Sequence, residues 1–164
     1  MNYRTIVRRS VVAVVFVALA IQFIRPERTS PASDPSAALT ARVEVPADVK
    51  AILDRSCRDC HSNETRWPWY SNVAPVSWWV IDHVNHGRSH FNFSEWAKYN
   101  SEEQRNLLKQ SCELTRKGAM PLPSYLRMHA AAMSAQEVQS RVNGYNADYR
   151  LSTSDCRPQR LRLR

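Results

Sequence analysis

Cys57-Arg58-Asp59-Cys60-His61 is the stretch on which the reading of this chain turns. Two thiols three positions apart, followed directly by an imidazole, match the pattern that attaches c-type haem. The spacing has a chemical reason. Each thiol adds to one vinyl group of the porphyrin, and the adjacent histidine then reaches the iron from below. Zinc is the rival for such a set, but it needs a fourth ligand. The nearest supply, His83-Val84-Asn85-His86, has a gap shorter than the roughly three to five residues usual between zinc-finger histidines. One covalent haem with its iron is the expected cofactor, held by Cys57 and Cys60, with His61 as a metal ligand.

Working outward, Val49, Ile52, Leu53 and Cys57 recur at helical spacing, so a short helix starting at Pro46 runs straight into the motif. Behind it, Trp67-Pro68-Trp69-Tyr70 reads as extended or turning, because a proline disfavours helix at the residue before it. Pro75 then looks like a first-turn proline, with Val76, Trp79, Val80, His83, Val84 and Gly87 making one apolar stripe until Asn92-Phe93-Ser94 breaks it. A further helix is expected over residues 101–117. It is opened by a capping box Ser101-Glu102-Glu103-Gln104, built on Leu107, Leu108, Ser111 and Leu114, and stopped by Gly118. After Met120-Pro121-Leu122-Pro123, a last helix opens on Ser134-Ala135-Gln136-Glu137 and carries Val138, Val142, Tyr145 and Tyr149 on one face. No stretch alternates as a strand. The fold class expected is all-α: a small cytochrome c-like helical domain with long ordered connections.

The chain has 164 residues, enough for one domain with tails. Its formal charge of +8 is unevenly placed: residues 42–150 are nearly neutral at +2, and the rest lies in the two ends. A nucleic-acid binder carries its basic patch on the folded face that docks, and no such stripe occurs here, so no nucleic acid is expected as partner. With only 3 glycines and no glycine-rich motif, a phosphate-cradling loop is not indicated either.

The N-terminus reads as an export signal. Arg4, Arg8 and Arg9 precede residues 10–24, which carry no charge. A cleaved signal peptide competes with an uncleaved anchor. The small-x-small pattern Ala18-Leu19-Ala20 lies inside the apolar run and is followed by Ile21-Gln22-Phe23-Ile24, not by a polar mature start, which favours the anchor. The arginine excess before the run puts the rest of the chain outside. The expected organisation is a signal anchor over residues 1–25, a flexible Pro/Ser/Ala/Thr-rich linker over 26–45, a haem-binding domain over 46–150 and a basic tail over 151–164. This places a single-pass protein in a bacterial inner membrane, with its haem domain in the periplasm.

Opposite His61, Met120 is the leading second ligand. Met120-Pro121 follows a helix-ending glycine, which leaves the thioether on an extended loop, and soft sulfur opposite imidazole is the arrangement of electron-transfer cytochromes. His83, His86 and His90 would share a face of one continuous helix, and with His129 they compete for that position or for a separate metal site. Met128 and Met133 are weaker alternatives. Cys112 and Cys156 either form a disulfide or stay as two thiols.

The run from Cys57 through Trp67-Pro68-Trp69-Tyr70, with Val73-Ala74-Pro75-Val76-Ser77-Trp78-Trp79, Gly87-Arg88-Ser89-His90-Phe91-Asn92-Phe93-Ser94-Glu95-Trp96 and Met120-Pro121-Leu122, resembles the small bacterial haem-binding domain family with a single Cys-x-x-Cys-His. The resemblance covers about residues 57–137, and Gln22-Phe23-Ile24-Arg25-Pro26-Glu27 is similar to the anchor-to-linker junction of such proteins. It implies an exported, membrane-anchored monohaem protein, and it fixes the cofactor better than the function. On that pattern Trp67, Trp69, Trp78, Trp79, Phe91, Phe93 and Trp96 are candidates to wall the porphyrin. Arg66 and Arg88 are candidates to pair with its propionates. Cys112 and Cys156 are not part of the family motif.

Three functions follow in order. A one-electron carrier with saturated iron comes first, its redox partner proteins undefined by the sequence. A sensor or gas-binding haem domain is second. A peroxidase using His83, His86 or His90 as general base is third.

Overall fold

In the computed structural model, residues 2–129 are described. The apolar N-terminal run forms α1 (Tyr3–Ala20), prolonged by a single 3-10 turn over Ile21–Phe23. Fifteen uncharged residues alone are short for a bilayer. Helix and turn together make 21 residues, about 31 Å at 1.5 Å per residue, which meets the ~30 Å hydrocarbon core. No side chain of α1 is buried, so nothing in the described protein uses this helix as core.

Residues 26–45 are more structured than their composition suggests. Asp34 caps a 3-10 turn over Pro35–Ala37 by accepting from the Ser36 N–H at 2.9 Å, and α2 (Leu39–Arg42) follows. Leu39 and Val43 are buried with Phe91 and Trp96, the last wholly inaccessible. Two apolar residues four apart carry this contact, too few to stand out as a periodicity. Val45, Leu53, Phe93, Tyr99, Leu107 and Leu108 pack around the same cluster.

α3 (Ala47–Ser56) starts after Pro46, buries Ile52 and delivers the chain into the single turn of α4 (Arg58–His61). A 3-10 turn over Trp69–Asn72 leads to α5 (Val76–His90), with Pro75 at the cap position and not inside the first turn. A 3-10 stretch Phe93–Lys98 precedes α6 (Ser101–Arg116). The capping box lies one residue earlier than expected. The Asn100 side chain accepts from the Glu102 and Glu103 N–H groups, and Glu103 accepts from the Asn100 N–H. Asparagine caps as well as serine does, so the motif slides without loss. Gly118, at φ 69°, ends the helix. α7 (Pro123–Met128) then forms with Pro123 in its first turn. Among the described residues there is no strand, and the domain is all-α. The helix expected from Ser134, Met133, Cys156 and the basic tail lie outside the described residues.

α5 is the helix against which the motif packs. It buries Ser77, Ile81 and Val84 and turns Val76, Trp79, Val80 and His83 to another side, so its apolar surface serves two purposes where one stripe was expected. Gly87 is the point of closest approach. A Cβ there would lie 2.4 Å from the carbonyl oxygen of Cys60. Alanine normally gains about 1 kcal/mol over glycine inside a helix, but crowding a packed contact costs about 1–3 kcal/mol, and backbone cannot swing aside. At 2.4 Å from backbone the upper end of that cost applies, so Gly87→Ala is expected to lower stability by roughly 2 kcal/mol net, read as a fall in the urea midpoint. A midpoint unchanged or raised would show that α5 is not seated on the Cys60 backbone.

Candidate functional site

The end of α3 winds directly into the motif. The Cys60 and His61 N–H groups both donate to the Cys57 carbonyl, at 3.2 and 3.0 Å, so residues 57–61 form one tight turn. Both thiols are free. Burial pushes the Cys57 thiol up to about 12, and neighbouring Cys60 adds to the effect. Burial also pushes Cys60 up to about 11, helped by Asp59 and opposed by the Arg88 guanidinium. His61 has its Nδ1 2.9 Å from the Phe91 carbonyl and its ring about 6 Å from those of Phe91 and Phe93. Burial lowers its pKa, against the pull of the Phe91 and Gly87 carbonyls and together with His90. A neutral imidazole that donates from Nδ1 keeps its lone pair on Nε2, which is how metal-ligating histidines are usually oriented.

Beside this turn lies a cavity of about 460 Å³, within the ~300–1,000 Å³ range of small-molecule and cofactor sites. Val76, Trp79, Val80, His83 and Val84 of α5 form one wall, and Leu122, Ser124, Tyr125, Met128 and His129 form the other. Asp59 and Cys60 line it from the motif, and Thr65, Arg66, Pro68 and Tyr70 complete it. The lining is mostly apolar, with polar groups concentrated near Asp59. That carboxylate is buried, accepts from the Tyr125 hydroxyl at 2.8 Å, and accepts from the backbone N–H and Nε of Arg66, both at 3.2 Å. Burial, then the bond to Asp59, pushes the Tyr125 phenol well above its ordinary range. His129 stacks on the Tyr125 ring at 3.9 Å, with its Nδ1 3.0 Å from the Tyr125 carbonyl and its Nε2 3.4 Å from the Tyr70 hydroxyl. His83 has its Nδ1 2.8 Å from the Trp79 carbonyl.

The residues singled out in the sequence fall into three groups. Cys57, Cys60 and His61 share one turn, and Cys60, Arg66 and Trp79 line the cavity. Arg66 is already engaged, with Asp59 and with the Asp54 carbonyl at 2.9 Å. Trp67, Arg88 and Met120 do not line the cavity. The Trp67 indole N–H reaches the Ser30 hydroxyl at 3.4 Å, and the half-buried Met120 follows the end of α6, its N–H 3.3 Å from the Leu114 carbonyl. Arg88 is spent on structure. It donates to the Ser62 and Thr29 carbonyls, both at 2.8 Å, and to the Thr65 hydroxyl at 2.7 Å. Phe91 and Trp96 belong to the buried core cluster. α5 does run unbroken past His83, His86 and His90, yet only His83 lines the cavity, and exposed His86 lies 3.6 Å from Asp82. Among the described residues no three His, Cys, Asp or Glu side chains are grouped to hold a metal ion. Cys112 is disulfide-bonded; Cys156, the partner named from sequence, lies outside the described residues.

Tyr70, Tyr125 and Asp59 were not foreseen as site residues. A proline at a first helical turn was a usable signal for α7, and Tyr125 and His129 stand four apart, the spacing that stacks them.

The family described as haem-binding domain matches residues 16–147. No curated protein and no solved structure matches the chain. The residue types present fit the group that the family name states: two free thiols, an imidazole with Nδ1 already bonded, and an apolar cavity lined by Cys60, with Cys57 and His61 in the same turn but not on its lining.

The raised thiols of Cys57 and Cys60, each still partly open to solvent, also set a pH dependence for the protein without a bound cofactor. The folded state raises both from the ordinary 9.0, so their contribution is intact below about pH 9 and is lost as pH rises towards 11 and 12. Denaturant midpoints measured from pH 8 to 11.5 should therefore fall more steeply for the thiol form than for Cys57→Ser/Cys60→Ser. Parallel curves would mean that the thiols are not buried.

Proposed function

Since the chain belongs to the haem-binding domain family, we propose that it binds haem covalently through Cys57 and Cys60, with His61 on the iron. We further propose that it passes single electrons at the outer face of a bacterial inner membrane. The observation that carries this reading is the single turn 57–61. It sets two free thiols beside an imidazole with Nδ1 satisfied, and it lets Cys60 reach an apolar cavity of about 460 Å³. Haem attached there supplies an iron that alternates between ferric and ferrous states. The chain's own residues do the rest. The Phe91 carbonyl orients His61, Val80 and Val84 keep water from the α5 wall, and Asp59 ties Tyr125 and Arg66 to the turn.

The membrane part of the proposal is supported by the length and apolarity of α1 and by Arg4, Arg8 and Arg9 at its start. Residues 1–25 serve as the anchor, residues 46–150 as the haem domain and residues 151–164 as a basic tail, with the intervening segment partly packed on the domain.

As a second residue that would hold the iron the proposal keeps Met120, for its soft sulfur and its place after a helix-ending glycine. One observation favours a second reading: His83, Met128 and His129 line the cavity, and Met120 does not. If these residues would hold the iron only weakly, the bound group would be open to small gases and the protein would act as a sensor.

Visible and near-infrared spectra of the exported holoprotein separate the two. The carrier reading expects low-spin haem with a far-red sulfur-to-iron band, no response to carbon monoxide, and loss of that band with a lowered potential in Met120→Ala. A band that survives in Met120→Ala but vanishes in Met128→Ala moves the ligand to α7, and low-spin haem without it points to His83 or His129. High-spin ferric haem with rapid carbon monoxide binding supports the sensor and overturns the carrier. Separately, Cys57→Ser/Cys60→Ser should release all haem on acid-acetone extraction. Haem that stays with the polypeptide would end the covalent assignment.

A further inference from the structure

The domain is fixed to the outer end of α1, not loosely tethered to it. Gln22 makes a reciprocal pair with the Ala74 backbone: Nε2 donates to the carbonyl at 3.1 Å, and Oε1 accepts from the N–H at 3.0 Å. Two residues on, the Trp78 indole N–H donates to the Ile24 carbonyl at 2.7 Å. Arg28 donates to the Ser71 hydroxyl at 3.4 Å, and Arg88 to the Thr29 carbonyl. Thus the segment leaving α1 is bonded at several successive points to residues 71–88.

Around that attachment the surface is apolar. Trp69 is 75% exposed, Trp79 48%, and Val73 and Val76 44% each, all within five residues of Ala74. Val76 and Trp79 stand three apart on α5 and therefore share a face. We propose that this face, made of Trp69, Val73, Val76 and Trp79, rests in the lipid headgroup layer of the same membrane that α1 crosses. The proposal rests on the reading of α1 as an anchor.

Position argues for lipid over a protein partner. The span ends at Phe23, and Gln22 and Ile24 already touch Ala74 and Trp78, so the patch lies at the level where the helix leaves the hydrocarbon. Tryptophan favours that level because its ring is apolar and its N–H polar. Arg25 and Arg28 bring positive charge to the same place, where lipid phosphates lie. A patch meant for a soluble partner would have to be held clear of the bilayer, and these hydrogen bonds hold it close. One consequence concerns the cavity. Val76 and Trp79 belong to both the patch and the cavity wall, so that rim of the cavity meets the membrane.

The test is photolabelling of the full, haem-loaded chain in phosphatidylcholine–phosphatidylglycerol vesicles. A fraction of the lipid carries a diazirine close to the glycerol. Trypsin cuts after Arg66 and Arg88, isolating residues 67–88 for mapping. Label is expected in the α1 peptide and in residues 67–88, with its sites among residues 69–79. In Trp69→Glu/Val73→Glu, label in residues 67–88 should drop by at least about fivefold while α1 stays labelled, and far-ultraviolet circular dichroism confirms that the variant is folded. Label confined to α1 overturns the proposal and leaves the anchor reading standing, whether the patch then faces water or another protein. Label in neither peptide overturns both. The wild-type pattern decides the matter even where the variant does not accumulate.

Discussion

α5 passes the Cys60 carbonyl at Gly87 so closely that there is no room for a side chain. Two other features follow from that approach in chain order. Arg88, the next residue, comes near enough to the motif to hold the Ser62 carbonyl and the Thr65 hydroxyl while also reaching back to Thr29. Phe91, one turn on, closes the helix with its N–H on the Gly87 carbonyl and turns its own carbonyl to His61 Nδ1. A single helix end thus seats the motif, clamps the loop that leaves it, and orients its imidazole.

The irregular segments around this helix are kept in place by polar groups that satisfy one another. Asn92 donates to Asn63 at 2.7 Å and accepts from the Ser94 N–H at 3.0 Å, while the Asn63 N–H donates to the Ser94 hydroxyl at 3.1 Å. All three residues are buried. Chain that is neither helix nor strand must pair its buried polar groups some other way, and a closed side-chain network does so with a fixed geometry. Phe91 and Trp96, next to this network in sequence, are buried in the core cluster with their rings 5.8 Å apart.

How much of this was legible in the sequence depends on whether the signal was local. The approach of a helix to the motif, α5, the α6 boundaries and the apolar N-terminal helix all rest on spacing, capping or composition within a few residues, and α6 was legible to within about one position. The burial of Leu39 and Val43 rests on contacts with residues about fifty positions away, and two apolar residues in a Pro/Ser-rich stretch carry no periodic signal. Arg88 shows the same limit. Nothing in its neighbours says that its guanidinium will bond Ser62, Thr29 and Thr65, which engages it beside the cavity without its lining it. Met120 stands after Gly118, but Met128 and His129 reach the cavity through α7, a helix of six residues whose one local signal is Pro123 in its first turn.

α7 is tied to the motif through one carboxylate. Asp59 sits between the two cysteines, and its oxygens take the Tyr125 hydroxyl from α7 and the Arg66 N–H groups from the loop that follows the motif. A buried carboxylate without these partners would be costly, so the three groups are bound to be found together. Tyr125 in turn carries His129, stacked on its ring and bonded at Nδ1 to its carbonyl. The separation between the Cys60 side of the cavity and the residues of its far wall is therefore set by a short chain of named contacts: Cys60 to its neighbour Asp59, Asp59 to Tyr125, Tyr125 to His129. Any group that bridges the two walls must match that spacing, and a residue that drew His129 or Met128 inward would have to work against the Asp59 bond. The turn of residues 57–61 is thus built from five consecutive residues, whereas the far wall of the cavity depends on this chain of contacts between residues distant in sequence.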